Sequence, residues 1–403
     1  MKILQINAVY GFGSTGLIVR DIEQALQKAG MSARIAYQFA DEKPELGFRI
    51  GNRPDWKWHA LYARLSGKEG YASRWATGHL IRFVRRESPD IVHLHNLHSN
   101  YVNLPMLLTE LAEAAVPTVV TLHDCWFFTG KCHHFVAAGC ERWRTGCGDC
   151  PLKKAAPASW FADRSSTVFK DRLRLFQQIG NLTVVGCSDW ICGLAKESPV
   201  FRGKRIVRIY NGIDTDVFRP LDRDLLRNRR GLSGQFVILV MANKLFAPEN
   251  SDLRRRLIRE LASEERLLVL GCSRDQRKML DGEPRVLAMG FIRDRHELAE
   301  WYNIADVFLN LTLADTLPTV NMESICCGAP VITYDSCGSP ELITEGKTGS
   351  VIPSLDYEKL REAIANVKCG QFSRAFCSEA GRVTFDKNLN YRQYIRLYQD
   401  IVS

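Results

Sequence analysis

The segment over residues 306–342 limits the possible folds of this chain more than any other, because its pattern alternates between strand and helix. The apolar run at residues 307–311 indicates a buried parallel strand. Pro318 stands where a first helical turn tolerates a missing N–H, so a helix is predicted over residues 319–327, just before a glycine. Residues 331–333 form the next predicted strand. A strand–loop–helix–strand unit of this kind predicts an α/β domain with a parallel sheet.

The loop at residues 315–320 leads into this helix from beyond the carboxyl end of the strand. Open α/β sheets bind ligands at that edge. The N–H groups of Thr319 and Val320, together with the helix dipole, favour an anion such as a diphosphate. Asp315 and Glu323 can both face one ligand, Asp315 beside a sugar ring and Glu323 accepting from ribose hydroxyls. Solvent-facing acids around an ordinary crossover are the alternative interpretation.

Length and composition are those of a multidomain globular protein. A chain of 403 residues is too long for a single core, and 46% apolar with 25% charged residues are ordinary values. No apolar run reaches the roughly 18–20 residues that cross a bilayer. Residues 1–7 enter a predicted strand directly and lack the regions of a signal peptide. We therefore expect a cytoplasmic protein.

The net charge of +9 favours anionic partners, namely a nucleotide diphosphate, a lipid pyrophosphate or an anionic membrane. The sequence contains no compact module of basic and aromatic residues of the kind that binds nucleic acid, so we do not expect a nucleic-acid partner. Residues 56–86 mix aromatic and basic side chains. This mixture is typical of a helical surface that lies in a membrane interface. A half-buried helix pair with its rings inward has the same pattern. The first interpretation would place the protein peripherally on the inner face of the membrane, and both stay open.

Glycines follow the first predicted strand, which covers residues 2–6. Gly11, Gly13 and Gly16 precede a predicted helix over residues 17–29. By itself such a loop does not distinguish a ligand site from a tight turn.

Histidines stand at the carboxyl ends of two predicted strands, residues 90–96 and 118–124. His98 and Asn100 follow the first strand, and His123 lies at the end of the second. Parallel strands bring these ends to one edge of a sheet, which indicates a shared cleft. A neutral histidine there can hydrogen-bond sugar hydroxyls or a phosphate, although single histidines are often satisfied polar residues without a ligand.

Cysteines are concentrated in residues 125–151. Cys147 and Cys150 have the spacing of a zinc knuckle, and Cys132 and Cys140 can complete a tetrahedral structural zinc site. Four thiolates leave no open position for catalysis. Reduced cysteines in an insertion loop are the alternative, and the odd total of 13 argues against a disulfide framework.

The acidic pair and its surroundings resemble those of family 4 retaining glycosyltransferases. Asp315-x7-Glu323 is followed by Cys-Gly-Ala-Pro-Val-Ile and Gly-Ser-Pro-Glu, and residues 211–220 resemble the interdomain segment of that family. Asp-x-Val-His-x-His and Thr-Leu-His-Asp resemble its N-domain signatures, and residues 125–151 resemble the colanic-acid and exopolysaccharide type. The resemblance covers nearly the whole chain and implies the α/β GT-B architecture, in which two Rossmann-like domains face each other across a cleft.

The resemblance also implies roles for individual residues. Asp315 and His123 would act at the transferred sugar, and Glu323 would hold the nucleotide ribose. The other donor-binding residues would be Gly13, Lys244, Phe291, Ile292, Thr316, Leu317, Thr319 and Val320. The acceptor-side residues would be Gly16, His98 and Asn100.

Two features depart from the family pattern. The first acid is usually glutamate and the loop is usually rich in glycine, whereas this chain has aspartate and Thr-Leu-Pro. The diphosphate clamp is usually an arginine with a lysine five residues later. Lys244 can serve for the arginine, but Glu249 or Asn250 stands at the lysine position. Arg254 or Arg255 would have to replace that cation, and the sequence does not decide between them.

We predict four parts. Residues 1–210 form an acceptor-side domain with the cysteine-rich insertion, residues 211–233 a linker and residues 234–385 a nucleotide-sugar-binding domain. Residues 386–403 form a helix that crosses back to the first domain.

The expected function is retaining transfer of a hexosyl group from a UDP- or GDP-linked sugar to a lipid-linked oligosaccharide, in exopolysaccharide or surface polysaccharide biosynthesis. No Asp-x-Asp metal motif stands where a metal-dependent transferase needs one, so we expect no cofactor in the chemistry. Because a clamp cation is missing, a sugar-nucleotide-binding protein with impaired activity is the main alternative. A GT-B epimerase or phosphorylase is a further one.

Overall fold

The computed structural model describes residues 1–155 and 157–403. The chain divides into two compact units. Unit 1 comprises Met1–Asn211 and Asn388–Ser403, and unit 2 comprises Gly212–Lys387. No helix in these described ranges is both long enough and apolar enough to cross a membrane.

Unit 1 contains a seven-stranded parallel sheet. Its strands are β1 (Lys2–Tyr10), β2 (Ser32–Ala40), β3 (Gly47–Arg49), β4 (Ile91–Leu94), β5 (Thr118–Leu122), β6 (Leu182–Gly186) and β7 (Arg205–Arg208). Its helices are α1 (Gly13–Lys28), α2 (Arg53–Ser66), α3 (Arg74–Glu87), α4 (Leu104–Glu113), α5 (Ser165–Gln178) and α6 (Asp189–Glu197). The strand order is β3-β2-β1-β4-β5-β6-β7. The chain order reverses between β1 and β4, so their carboxyl ends form a switch point where ligands bind in such sheets.

Unit 2 contains a six-stranded parallel sheet. Its strands are β8 (Phe236–Met241), β9 (Glu265–Leu270), β10 (Val286–Ala288), β11 (Val307–Asn310), β12 (Val331–Tyr334) and β13 (Gly349–Ile352). Its helices are α7 (Arg223–Arg230), α8 (Ala242–Leu245), α9 (Ser251–Arg259), α10 (Arg274–Leu280), α11 (Arg295–Ile304), α12 (Thr319–Cys326), α13 (Tyr357–Lys368) and α14 (Arg374–Phe385). The order is β10-β9-β8-β11-β12-β13. The switch point therefore lies between β8 and β11.

The central strands are buried along their whole length, as is typical of parallel sheets with helices on both faces. Every residue of β5 and of β11 is buried. The last helix, α15 (Lys387–Val402), adds Tyr391, Tyr394 and Leu397 to the core of unit 1.

Part of the predicted linker is a helix of unit 2. Arg227 of α7 is buried and donates to the carbonyl oxygen of Ile304 at 2.7 Å and to Asp306 Oδ2 at 2.5 Å. These contacts hold α7 against the sheet, so this stretch does not behave as a free connection. The high proportion of polar residues in α7 hid the helix from sequence reasoning.

The cysteine-rich segment between β5 and α5 has little regular structure. It contains three short 3-10 helices, Trp126–Phe128, Val136–Ala138 and Arg142–Arg144. Arg172 of α5 anchors the segment, since its fully buried guanidinium lies 3.8 Å from the ring centroid of Trp126 and donates to the carbonyl oxygen of Thr129 at 2.5 Å. The cysteine-rich segment is therefore held by aromatic packing and by Arg172, and not by strand pairing.

Candidate functional site

The strand–loop–helix–strand unit predicted for residues 306–342 is confirmed. β11 ends at Asn310, α12 begins at Thr319 directly after Pro318, and β12 begins at Val331. Gly328 follows the helix with a φ of 83°, the left-handed conformation that ends many helices. The connection over residues 311–318, here called the donor loop, therefore lies at the carboxyl edge of the sheet.

The structure brings Lys244 and the donor loop together at the switch point of unit 2. Lys244 lies in α8, immediately after β8, and its Nζ donates to Thr312 Oγ1 at 2.9 Å. Its side chain is half-buried, which keeps the ammonium close to the loop. A cation and a helix N-terminus at one edge can both stabilise an anion.

The start of α12 presents its first amides without a side-chain cap. The residue before the helix is Pro318, and Thr319 and Val320 are partly exposed. Their N–H groups have no partner inside the helix because the first turn of any α-helix leaves its donors free. Thr316 and Leu317 are buried in the loop, and the Thr316 hydroxyl has no hydrogen-bond partner within the described residues.

The two predicted acids lie on either side of this helix start. Asp315 Oδ1 accepts from the Leu317 N–H at 3.2 Å, which fixes the turn of the loop. Glu323 lies one turn inside α12, and its Oε2 accepts from the Tyr302 hydroxyl at 3.0 Å. Burial raises the pKa of Glu323 to about 7, against the weaker opposing effect of Tyr302. Glu323 is partly exposed, so one side of its carboxyl can meet a ligand.

The lysine position of the usual clamp does not carry a cation. Glu249 is exposed, and Asn250 is fully buried. The Asn250 amide donates to the carbonyl oxygens of Lys244 at 2.9 Å and Leu311 at 2.7 Å, and thereby ties α8 to the donor loop. Asn250 therefore supports the loop instead of contacting an anion.

Of the two arginines that could replace the cation, Arg254 is the better placed. Its Nη1 lies 3.4 Å from the carbonyl oxygen of Leu245 in α8, and its guanidinium stacks on Phe246 with 4.6 Å to the ring centroid. Arg255 is exposed and pairs with Asp252 on its own helix.

Phe291 and Ile292 follow β10 at the same edge of unit 2. The Phe291 ring is 80% exposed, whereas Ile292 is half-buried. The N–H of Gly271, after β9, donates to the carbonyl oxygen of Gly290 at 3.2 Å and fixes this loop beside the end of β9. An exposed ring held in a fixed loop is suited to stacking on a flat ligand.

In unit 1 the structure brings His123 and His95 together at the ends of β5 and β4. His95 Nδ1 lies 3.0 Å from His123 Nε2, and His95 Nε2 lies 3.1 Å from Gln5 Oε1. Burial lowers the pKa of His123 to about 4, so its ring is neutral at pH 7. Sequence reasoning selected His123 but missed Gln5 and His95. A glutamine inside an otherwise apolar strand was the available signal.

His98 has the opposite protonation preference. Its Nε2 lies 3.0 Å from Asp124 Oδ2. Burial lowers the pKa of His98, but the charge and hydrogen bond of Asp124 outweigh it and raise the pKa above 6.5. The pKa of Asp124 is correspondingly far below its usual range, because His98 outweighs the effect of burial.

The remaining predicted residues of unit 1 differ in exposure. Gly13 is exposed at the first turn of α1, with a φ of 63° and open space where a Cβ would stand. Gly16 is buried, and a Cβ there would lie 3.3 Å from the backbone of Val9, so this glycine allows α1 to cross β1 closely. Asn100 has a φ of 65° and a buried amide oxygen without a hydrogen-bond partner among described residues. Direct ligand contact by these three residues stays a prediction.

Two tyrosines of α15 belong to the polar network beneath this edge. The Tyr398 hydroxyl lies 2.7 Å from His93 Nδ1, and the Tyr394 hydroxyl lies 2.9 Å from Thr121 Oγ1. Thr121 Oγ1 in turn lies 2.7 Å from His93 Nε2. These hydroxyls satisfy buried polar groups of β4 and β5.

The four cysteines predicted to bind zinc line one cavity in unit 1. Cys132, Cys140, Cys147 and Cys150 face it together with Trp143. The Gly130 N–H donates to Cys147 Sγ at 3.2 Å. Within residues 1–155 and 157–403, however, no group of three or more His, Cys, Asp or Glu side chains is arranged to hold a metal ion. The thiol chemistry fits zinc, but the side chains as placed do not converge on one point.

Zinc binding by these cysteines therefore stays a prediction that metal analysis can test. Zinc would require the four thiols to shift toward a common centre, about 2.3 Å from each sulfur. Purified protein is expected to contain about one equivalent of zinc, and Cys147→Ser with Cys150→Ser to lose it. Cys369→Ser, at an exposed cysteine of unit 2, is the control. Less than about half an equivalent in the wild type would contradict zinc.

Comparison with known proteins agrees with this architecture. Residues 222–384 match the family model described as Glycosyl transferases group 1, and residues 16–217 match that of Glycosyltransferase Family 4. The putative colanic acid biosynthesis glycosyl transferase WcaC of Escherichia coli (strain K12) is 24% identical over 432 aligned residues, which cover 100% of each chain.

Solved structures with the same fold cover nearly the whole chain. Sucrose-phosphate synthase from Thermosynechococcus elongatus has a TM-score of 0.69 at 15% identity and covers 99% of this chain and 98% of its own. Anabaena Alr3699/HepE in complex with UDP-glucose has a TM-score of 0.65 at 17% identity, with 99% and 100% covered. The two Rossmann-like units are those of the GT-B fold class. The family model of Glycosyltransferase Family 4 matches half of this chain, so the chain belongs to glycosyltransferase family 4.

Proposed function

We propose that this glycosyltransferase moves a hexosyl group, with retention of configuration, from a nucleotide-diphosphate sugar to a lipid-linked oligosaccharide in polysaccharide biosynthesis. The observation that carries the donor half is the uncapped start of α12, with Lys244 bonded to the adjoining donor loop and Glu323 one turn away. WcaC, named for colanic acid biosynthesis, aligns over the full chain and supports the polysaccharide half.

Each part of the donor has a suitable group in unit 2. The N–H groups of Thr319 and Val320 would donate to the diphosphate oxygens, with Lys244 as the cation. Glu323 would accept from the ribose hydroxyls, and Phe291 would stack on the base. HepE binds UDP-glucose in its crystal structure, which supports a sugar nucleotide as the ligand class.

For retention we propose same-face attack, which the resemblance to retaining enzymes supports and which needs no protein base for the acceptor. The sugar–phosphate bond breaks, the acceptor oxygen bonds to the anomeric carbon, and the acceptor proton passes to the leaving diphosphate oxygen. Asp315 would orient the sugar during this step. The first acid of each Asp-x-Asp triplet in unit 2 is engaged within the protein, since Asp214 pairs with Lys387 at 2.7 Å and Asp222 caps α7.

An exposed apolar patch on unit 1 supports a lipid-linked acceptor. Trp58, Leu61 and Leu65 share one face of α2 and are 40–60% exposed. Trp160 and Phe161 adjoin it, because the Trp160 N–H donates to the carbonyl oxygen of Arg64 at 2.8 Å. Lys57, Arg64 and Lys153 add positive charge. Aromatic and basic side chains on one surface favour an anionic membrane interface.

The patch predicts binding to anionic vesicles. The double variant Trp58→Ser, Phe161→Ser is expected to bind phosphatidylglycerol vesicles about 100-fold more weakly in a sedimentation assay, because two buried rings at ~1.5 kcal/mol each contribute about 3 kcal/mol. Val383→Ser, at an exposed apolar residue of unit 2, is the control. Equal sedimentation of all three proteins would contradict a membrane role for the patch.

The proposed reaction is tested with UDP- and GDP-linked hexoses and a prenyl-pyrophosphate-linked oligosaccharide fraction. The expected product is an oligosaccharide longer by one hexose, whose new linkage has the anomeric configuration of the donor by NMR. A product of inverted configuration would contradict retention.

The missing clamp cation at Glu249 and Asn250 favours a second candidate, a protein that binds sugar nucleotides without transferring the sugar. This candidate would be established if calorimetry shows that the protein binds a donor, but the donor is neither hydrolysed nor transferred when the acceptor fraction is added. Binding followed by transfer would exclude it.

A further inference from the structure

His123 is connected to β1 by a chain of buried side chains, which we call the Gln5 relay: Gln5, His95 and His123. The contacts are 3.1 Å between Gln5 Oε1 and His95 Nε2, and 3.0 Å between His95 Nδ1 and His123 Nε2. Gln5 and His95 have no exposed surface, whereas His123 is partly exposed. Buried polar chains of this kind allow few arrangements of their hydrogens.

The orientation of the Gln5 amide is fixed by the backbone. Gln5 Nε2 donates to the carbonyl oxygen of Val19 at 3.2 Å. A carbonyl oxygen only accepts, so the amide nitrogen must face Val19 and the amide oxygen must face His95. The hydrogen between Gln5 and His95 therefore lies on His95 Nε2.

The tautomer of His95 then fixes that of His123. Burial lowers the pKa of His95 well below 6.5, so the ring is neutral at pH 7. A neutral ring carries one hydrogen; since that hydrogen lies on Nε2, Nδ1 has a lone pair. His123 Nε2 must donate to that lone pair. Since burial also keeps His123 neutral, its Nδ1 carries no hydrogen. Among the described residues, Nδ1 of His123 has no hydrogen-bond partner.

We propose that the Gln5 relay holds His123 as a hydrogen-bond acceptor through Nδ1, so that the ligand group at this position is a hydroxyl and not a phosphate or carboxylate oxygen. Gln5 and His95 are positioning residues that act through His123. The inference rests on the proposed function only for the identity of the ligand, a hydroxyl of the sugar substrate. The sequence left open whether a histidine at this edge contacts a sugar hydroxyl or a phosphate, and the relay favours the hydroxyl.

The neighbouring His98 shows that the choice is local. It pairs with Asp124 at 3.0 Å, whose carboxylate favours a doubly protonated ring, and it donates from both nitrogens in that state. Within the described part of the chain, no acid makes a hydrogen bond to the His123 ring, which instead meets the lone pair of His95. Both ring nitrogens of His98 are engaged within the protein, Nε2 with Asp124 and Nδ1 with Ser99 Oγ at 3.1 Å, whereas His123 keeps its Nδ1 lone pair for a ligand.

The test is an NMR measurement of the tautomer on full-length protein labelled with 15N-histidine. Long-range 1H–15N spectra at pH 7 are expected to show a pyrrole-type Nε2 and a pyridine-type Nδ1 for His123, assigned by loss of the signals in His123→Gln. A pyrrole-type Nδ1, or a charged His123 ring, would overturn the proposal. The wild-type spectrum decides this even if the variants below do not fold.

Gln5→Met tests whether the relay sets the tautomer. Methionine keeps the length of the side chain but removes the acceptor for His95 Nε2, so the His123 signals should move toward a mixture of tautomers. The KM for the donor sugar should rise roughly five- to tenfold, the loss of one hydrogen bond, with less change in kcat. Tyr398→Phe is the matched control, because it removes a buried hydrogen bond to His93 outside the relay.

The outcomes separate the inference from the proposed function. A Gln5→Met spectrum identical to that of the wild type, or an equal change in Tyr398→Phe, would overturn the relay. The expected spectra in a protein that transfers no sugar to any acceptor would support the relay and contradict the proposed function.

Discussion

Replacing Asp315 with alanine is expected to lower sugar transfer by about 10²- to 10³-fold, the loss typical of one group that stabilises charge in the transition state. Asp315 stands in the donor loop beside the first amides of α12, where the sugar attached to a bound diphosphate would lie. Its carboxylate would favour the positive charge that develops on the sugar ring. Nucleotide binding should change little, because the proposed contacts to the diphosphate and the ribose involve other residues. Initial rates and calorimetric titration measure the two effects separately.

Asp315→Asn is the matched control for this prediction. The asparagine retains an oxygen to accept from the Leu317 N–H, which in the wild type lies 3.2 Å from Asp315 Oδ1. Asparagine therefore preserves the loop and removes only the charge. If the negative charge of Asp315 is required, both variants lose activity. If only Asp315→Ala loses activity, the residue acts by shaping the loop. A folded Asp315→Ala protein with wild-type activity would contradict any role in transfer.

Glu323→Gln is expected to stabilise the protein above pH 7 while it weakens nucleotide binding. The pKa of Glu323 is raised from 4.5 to about 7 by burial, so the folded state holds a proton that the unfolded state has released. Stability therefore falls as pH rises from about 4.5 to 7, and the loss is complete above that window. The shift corresponds to at most ~3 kcal/mol, reduced by the partial exposure of the side chain.

Thermal unfolding at pH 8 and pH 5 measures this effect. The variant should unfold at a higher temperature than the wild type at pH 8, by roughly 2–4 °C for each kcal/mol relieved, and the difference should shrink toward pH 5. Glu283→Gln, at an exposed carboxylate of unit 2, should show no such pH-dependent difference. A variant less stable than the wild type at pH 8 would contradict the assigned pKa.

Nucleotide binding by the same variant should fall by roughly 10- to 100-fold at pH 8, because a charged acceptor for hydroxyls is lost. Wild-type binding should weaken below pH 7, as protonation removes that charge, whereas binding by Glu323→Gln should not. Hydroxyl donors favour the ionised carboxyl, so binding near pH 7 should release protons, which titration in buffers of different ionisation enthalpy detects.

The strand–loop–helix–strand unit that carries the candidate donor site was predictable because its signals are local. An apolar run, a proline at a helix start and a glycine at its end fixed β11, α12 and β12 within a residue or two. Asp315 and Glu323 then followed from their positions on the loop and on the helix. Lys244 was implied only by the resemblance to the family's diphosphate clamp, and the structure places its ammonium beside the loop.

The supporting network was not predictable because its contacts join distant parts of the sequence. Gln5, His95 and His123 meet only once β1, β4 and β5 are in register, and no spacing rule relates them. The hydroxyls of Tyr302 and Tyr398 are similar cases. Their hydrogen bonds to Glu323 and His93 join residues 21 and 305 positions apart in the sequence.

Isothermal titration of the wild type and of Glu323→Ala with UDP and GDP tests the central claim most directly, namely that the start of α12 binds a nucleoside diphosphate. The account predicts that one of the two nucleotides binds the wild type with a stoichiometry of about one, and that alanine weakens this binding at least about tenfold. Absence of binding by both nucleotides, or equal affinity of the two proteins, would contradict it.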